Sequence, residues 1–147
     1  MAFEKPKSSN WWKTQGGAVE CSISFGTSGA GTAHIVGNKL YIDVTATLTA
    51  EAAAMAVTVP IAMRVIDVMV VRNGTAGGGF TVDILNGVGG TSITGGALAA
   101  ASGDTDVVRA TELDDAAFDI DKDGVLSFTV GTATMAGNIV IDFLPTT

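Results

Sequence analysis

Apolar and polar residues alternate strictly between residues 40 and 48. A period of two residues is typical of a β-strand that buries one face and exposes the other. Tyr41, Asp43 and Thr45 fall on the polar face. The apolar face holds Leu40, Ile42, Val44, Ala46 and Leu48. The sequence therefore predicts a half-buried strand in this segment.

Further β-type segments with Gly-rich turns between them follow this strand. Residues 57–59 lead to Pro60, which cannot donate a ladder hydrogen bond and marks a strand end or edge. Residues 63–72 are nearly all apolar, which predicts a central strand buried on both faces. Residues 51–54 and 97–101 are helix-capable. The other strand candidates are residues 80–84, 91–94, 106–110, 117–120, 125–130 and 138–144.

The number and spacing of these segments indicate the fold class. They amount to about eight strands separated by turn signals, with no long helical pattern, and eight is the usual number for a jelly roll. We therefore expect an all-β, antiparallel β-sandwich of the jelly-roll type. A chain of 147 residues with 47% hydrophobic content supports one such domain.

Residues 1–32 differ from the rest of the chain because they are rich in Lys, Ser, Asn and Gly and lack sustained periodicity. They predict an extended N-terminal arm, followed by a sandwich domain over residues 33–147. Adjacent tryptophans cannot both face one side of a strand, so at least one should pack against another chain or the flank of the domain. Trp11, Trp12 and Lys13 are the candidate partner-binding residues, and an arm folded back on its own body is the alternative.

The charge of the chain limits its partners. The formal net charge is −7, which is the sum of +1 on residues 1–32 and −8 on residues 33–147. A surface of that sign repels phosphate backbones, so we expect no nucleic-acid ligand. Residues 52–63 form the longest apolar stretch, which is too short to span a bilayer, so we expect no membrane insertion.

The residue types that carry chemistry are scarce. Cys21 is the only cysteine, so neither an intramolecular disulfide nor a cysteine metal cluster can form within one chain. His34 is the only histidine, so any catalytic triad would depend on it alone. Nucleophile-elbow and phosphate-loop motifs are absent from the sequence. We therefore expect a protein that is not an enzyme and needs no cofactor.

One acidic turn is a weak candidate for calcium. Asp119, Asp121 and Asp123 alternate and precede Gly124, as oxygen ligands do in an EF-hand loop. The twelfth position of that loop, which requires a bidentate glutamate, is Val130 here, and the flanks are β-type. A solvated turn without metal is the favoured interpretation.

Five segments carry a resemblance to a known family. They are residues 57–60 (VTVP), 64–67 (RVID), 80–87 (FTVDILNG), 107–116 (VVRATELDDA) and 123–130 (DGVLSFTV). In this order they resemble the small β-sandwich proteins that decorate, or cement, the capsids of tailed bacteriophages. The resemblance covers roughly residues 55–144 and consists of strand and turn signatures rather than chemical residues.

The resemblance implies a structural role. Capsid decoration proteins are jelly rolls, commonly homotrimeric, that sit on the outer surface of the capsid and bridge neighbouring major capsid protein subunits. The expected location is therefore the outer capsid surface of a virion assembled in the host cytoplasm. Three alternatives remain: a tail or fibre-associated module, a receptor or carbohydrate-binding module, and a small hydrolase.

Overall fold

The fold is entirely β in the part of the chain that the structure describes. The structure is a computed structural model and describes residues 18–72, 80–100, 107–131 and 135–146. The twelve strands are β1 (Val19–Phe25), β2 (Ala30–Val36), β3 (Lys39–Leu48), β4 (Glu51–Thr58), β5 (Met63–Arg72), β6 (Phe80–Asn86), β7 (Thr91–Ser92), β8 (Leu98–Ala100), β9 (Val107–Arg109), β10 (Asp119–Ile120), β11 (Val125–Val130) and β12 (Met135–Pro145). The predicted all-β class is confirmed. A helix long and apolar enough to cross a membrane does not occur among these residues.

The strands form one curled antiparallel sheet whose two halves we call sheet A and sheet B. Sheet A has the order β10-β5-β12-β3-β2-β1, with β9 also paired to β5. Sheet B has the order β1-β4-β11-β6-β7, with β8 also paired to β6. Strand β1 belongs to both, because its first half pairs with β2 and its second half pairs with β4.

The pairing is that of a jelly roll. Strand β3 pairs with β12, β4 with β11, β5 with β9, and β6 with β8. These four pairs are nested, the outermost strands in sequence pairing with each other, as expected when a long antiparallel hairpin is rolled into two sheets. The β1–β2 hairpin and the two-residue strands β7 and β10 raise the number of strands from about eight to twelve.

The core lies between the two sheets, and the predicted alternation of β3 is largely confirmed. Leu40 and Ile42 are fully buried and Ala46 is exposed. Strand β5 differs from the expectation of burial on both faces. Val65, Val68 and Val70 are buried, but the residues between them are exposed or half-buried. Strand β5 therefore turns several apolar side chains away from the core.

Three segments have a different structure from the one their composition predicts. Residues 19–25 and 30–32, expected in the arm, belong to β1 and β2 and are part of the sandwich. Residues 51–54 begin β4, and residues 98–100 form β8, although both segments are Ala-rich and helix-capable. Strand β4 lies between β1 and β11 and pairs with both, and this tertiary pairing outweighs a helix propensity of a few tenths of a kcal/mol, roughly, per residue.

Two adjacent residues of β12 test the assignment of its faces. Phe143 is fully buried, whereas Leu144 is 48% exposed. Replacing a buried phenylalanine by alanine costs about 3–5 kcal/mol because the contacts are lost and a cavity is left. We expect Phe143→Ala to lower the free energy of unfolding by that amount, and Leu144→Ala by less than about 0.5 kcal/mol. Urea denaturation of both variants measures this, and equal losses would contradict the faces described.

Candidate functional site

A row of six side chains crosses the solvent-facing side of sheet A, which we call the outer face. Each member lies directly opposite the next on the neighbouring strand, from β1 to β9. We call it the central row, and it consists of Glu20, His34, Tyr41, Val140, Met69 and Arg109. The four inner members are half-buried. The row therefore has an apolar and aromatic middle with a charged residue at each end.

His34 and Tyr41 form a stacked pair within the central row. Their ring centroids are 6.0 Å apart and their planes differ by 27°. The stack follows from the register, because directly opposite side chains on antiparallel strands lie close enough for aromatic rings to touch. The sole histidine thus packs against a tyrosine across β2 and β3, and both rings are half-buried.

A second row of the outer face consists of charged residues that neutralise one another. Asp142 and Asp67 lie opposite each other on β12 and β5. Lys39 Nζ donates a hydrogen bond to Asp142 Oδ1 at 2.7 Å, and Arg109 Nε lies 3.0 Å from Asp67 Oδ2. The bond to Asp142 raises the pKa of Lys39. Lys39, and Arg109 from the end of the central row, therefore balance the two adjacent carboxylates, which leaves little net field beside the central row.

Exposed apolar side chains are concentrated on sheet A. Of the six large apolar residues that are exposed in the described part of the chain, Ile61 and Val88 lie in loops. The other four lie on strands of sheet A and are Val36, Ile66, Val107 and Leu144, with exposed fractions of 40–59%. Apolar side chains gathered on one face in this way are typical of a surface that binds another molecule.

The solvent-facing side of sheet B has a different character. Its strands direct mainly small or hydroxyl-bearing side chains outward, including Ser22 and Ser24 of β1, Ala56 of β4 and Thr129 of β11, and the half-buried Leu85 and Val125 are exceptions. Thr129 Oγ1 donates a hydrogen bond to the Ala52 carbonyl at 2.6 Å. The two sides of the sandwich are therefore unequal, and the outer face of sheet A is the better candidate for binding.

The acidic turn is built as a structural connection. Asp119 accepts hydrogen bonds from Arg64 Nε and Nη2 at 2.8 and 2.9 Å, and the Arg64 guanidinium lies 4.9 Å from the Phe118 ring centroid. Asp123 adopts a φ of 64°, and its backbone N–H donates to the Val59 carbonyl at 2.8 Å. These contacts fix the passage from β10 to β11.

The structure does not bring the three candidate calcium residues together as a metal site. Among the described residues, no group of three or more His, Cys, Asp or Glu side chains is placed to hold a metal ion, so Asp119, Asp121 and Asp123 are not brought together. The bond from Arg64 lowers the pKa of Asp119. This pair therefore favours the folded state above the ordinary pKa of an aspartate, and its contribution is lost as the pH falls, although exposure keeps it small.

The predicted partner-binding residues Trp11, Trp12 and Lys13 lie outside the described residues.

Two members of the central row, Val140 and Met69, are not predicted from the sequence, because an apolar residue within an apolar run is expected in the core. For Met69, the signal that could have found it is the length of the apolar run in β5, which exceeds what one buried face needs; Val140 lies in the shorter apolar run of β12.

Comparison with known proteins gives no family. No family model matches the chain, and no curated protein matches it. A solved structure described as "CBM4 structure and function" is similar at 14% identity and a TM-score of 0.33, over 86% of this chain and 78% of that one. At that level, the match carries neither a family nor a ligand over to this chain.

Cys21 provides a test of the β1 end of sheet A. It lines a groove of about 480 Å³ beside Ile23 and Ala33, and burial raises its pKa to about 11. Because the thiolate is the reactive form, only about 0.1% of the thiol is reactive at pH 8. We expect Cys21 to react with a disulfide reagent at least 100-fold more slowly in the native protein than in guanidinium. Equal rates would show that the Cys21 side chain is not buried where β1 pairs with β2.

Proposed function

We propose that the protein is a structural virion component that binds the outer surface of a phage capsid and bridges major capsid protein subunits. The observation that carries the proposal is the gathering of exposed apolar side chains on the outer face of sheet A. Protein interfaces combine an apolar, aromatic-rich centre with a polar rim, and Tyr, Met and Arg are enriched in them. The central row has this composition, and the balanced charged row beside it supplies a rim.

The size of the outer face supports a protein partner. Six strands spaced about 4.8 Å apart span about 24 Å, and a ten-residue strand such as β5 extends about 33 Å. Because β1, β2 and β10 contribute fewer residues than β5, the product of about 800 Å² is an upper bound on this face, and it equals the area that each partner contributes to a stable protein interface of standard size. A small-molecule site would be smaller and concave.

The proposed mechanism depends on repetition rather than on one tight contact. A rigid sandwich seated across neighbouring subunits adds a modest binding energy at each position, and these contacts are repeated over the whole shell. Trp11, Trp12 and Lys13 would add a second contact, and a homotrimer would multiply the contacts of each molecule. The role needs no catalysis and no cofactor, and the acidic body disfavours binding to the packaged DNA.

A carbohydrate-binding or receptor-binding module is the second candidate function. The observation that favours it is the half-buried His34–Tyr41 pair on the outer face, because aromatic side chains combine an apolar body with a polar group and are suited to binding sugar rings. Thr32 and Asp43 lie opposite each other in the next row, with Asn138 beside Asp43, and would supply hydrogen-bonding groups around the pair. A tail or fibre module of the same fold would differ from a decoration protein only in its place on the virion.

A charge placed in the central row tests the proposed capsid contact. Val140→Asp puts a carboxylate in the middle of the outer face, where docking would bury it without a partner. In co-sedimentation with capsids that lack the protein, we expect its apparent affinity to fall at least tenfold. Ser24→Asp, on the solvent-facing side of sheet B, is the matched control and should bind as the unmodified protein does.

Two results would contradict the proposed contact. One is capsid binding by Val140→Asp that equals that of the unmodified protein, provided that thermal denaturation shows both to be folded. The other is an equal loss in Ser24→Asp. Binding of the unmodified protein to an array of glycans that is abolished by Tyr41→Ala, without any binding to capsids, would favour the second candidate function instead.

A further inference from the structure

The central row carries opposite charges at its two ends and apolar or aromatic side chains between them. Glu20 of β1 is one end, and Arg109 of β9 is the other. The middle of the row falls between β3 and β12, with three members on each side of it. A half-turn about an axis that runs along the strands at this midpoint therefore exchanges the two ends.

A half-turn of this kind lays the outer face of a second copy onto the outer face of the first, and every facing pair in the central row is then complementary. The facing pairs are Tyr41 with Val140, His34 with Met69, and Glu20 with Arg109. Each pair occurs twice, as in any isologous two-fold interface. The apolar and aromatic members meet one another, and each end meets a charge of the opposite sign.

The rows on either side of the central row fit the same half-turn. In one, Lys39 and Asp142 are directly opposite across the axis, so each would face the other's equivalent in the second copy. In the other, Asp43 would face Asn138, whose amide can donate a hydrogen bond to a carboxylate. Among the described residues of these three rows, no two like charges face each other.

The twist of the sheets changes this alignment at the ends of the row but not in its middle. Two twisted sheets that pack face to face cross at about 30°. In a row that spans about 24 Å, this crossing moves each end by about 6 Å and leaves the midpoint in place. The ends are Glu20 and Arg109, and attraction between charges weakens only gradually with distance.

We propose that two copies of this chain pair in solution through the outer faces of their A sheets, related by this two-fold axis. The face is six strands wide, whereas a single extended segment covers a width of about 10 Å, or two strand spacings. A second copy covers the whole face. It contributes up to about 800 Å², the area that one partner supplies to an interface of standard size.

The pairing goes beyond the proposed capsid role and does not depend on it, because it is made without capsids. If the capsid binds the same face, the capsid and the second copy compete for it. The pair then covers exposed apolar side chains such as Val36 and Val107 before docking, when they would otherwise favour aggregation.

Charge reversals at the two ends of the central row test the proposal. In sedimentation equilibrium, the mass of the full chain should rise with concentration from one chain to two. Glu20→Arg and Arg109→Glu should each raise the apparent dissociation constant at least about tenfold, because each places like charges across both ends of the interface. An equimolar mixture of the two variants should associate as the unmodified protein does, because opposite charges then face each other again.

Two variants of the turn between β10 and β11 are the matched controls. Asp121→Arg and Lys122→Glu change the net charge by the same amounts as the two test variants, but they lie outside the three rows. Both should associate as the unmodified protein does. Circular dichroism melting of each variant distinguishes loss of pairing from loss of folding.

Several results would overturn the proposal. They are a mass of one chain at every concentration, a mass above two chains, unchanged association of either folded test variant, an equal loss in the controls, and a mixture that fails to regain association. A single-chain mass with blue-shifted tryptophan emission would point instead to the chain's own N-terminal segment as the cover of the face, since both tryptophans lie there.

Discussion

The burial of one side of sheet A against sheet B is the constraint on which the rest of the structure depends. Side chains on a strand alternate between two faces, so each residue that packs inward fixes the direction of its neighbours. Ile42 of β3, Ile139 of β12 and Val70 of β5 lie in one buried row across three strands. The neighbouring row must then point outward, and this brings Tyr41, Val140 and Met69 together on the outer face.

The two solvent-facing sides of the sandwich differ in the free energy that it costs to leave them exposed to water. A face of serine, threonine and alanine is inexpensive to leave in water, whereas a face that carries Tyr41, Met69, Val107 and Ile66 is not. Covering the outer face of sheet A with another molecule would therefore still lower the free energy after the domain has folded. The balanced ion pairs beside the central row give this face a defined rim without giving it a strong field of one sign.

The sequence predicts the fold better than it predicts the site. Strict alternation in residues 40–48 and clear turn signals identify most strands, and the nested pairing agrees with the expected jelly roll. The sequence patterns predicted the end of β4 before Pro60 but missed its first half and the whole of β8, because alanine is a good helix former and the pairing that makes these segments strands comes from residues distant in sequence. The sequence pattern did not predict β1, because Ser and Gly interrupt the apolar residues around it. The central row was hidden for a related reason: an apolar residue on β5 looks the same in sequence whether it faces the core or solvent.

We propose that the outer face of sheet A is the surface that meets the capsid. A cryo-EM reconstruction of capsids saturated with the protein tests it most directly, because the two sheets can be told apart by their different strand orders. The account predicts density for the sandwich on the outer shell with Tyr41, Val140 and Met69 against the major capsid protein. Density in which sheet B faces the shell, or shells that stay bare at saturating protein, would contradict it.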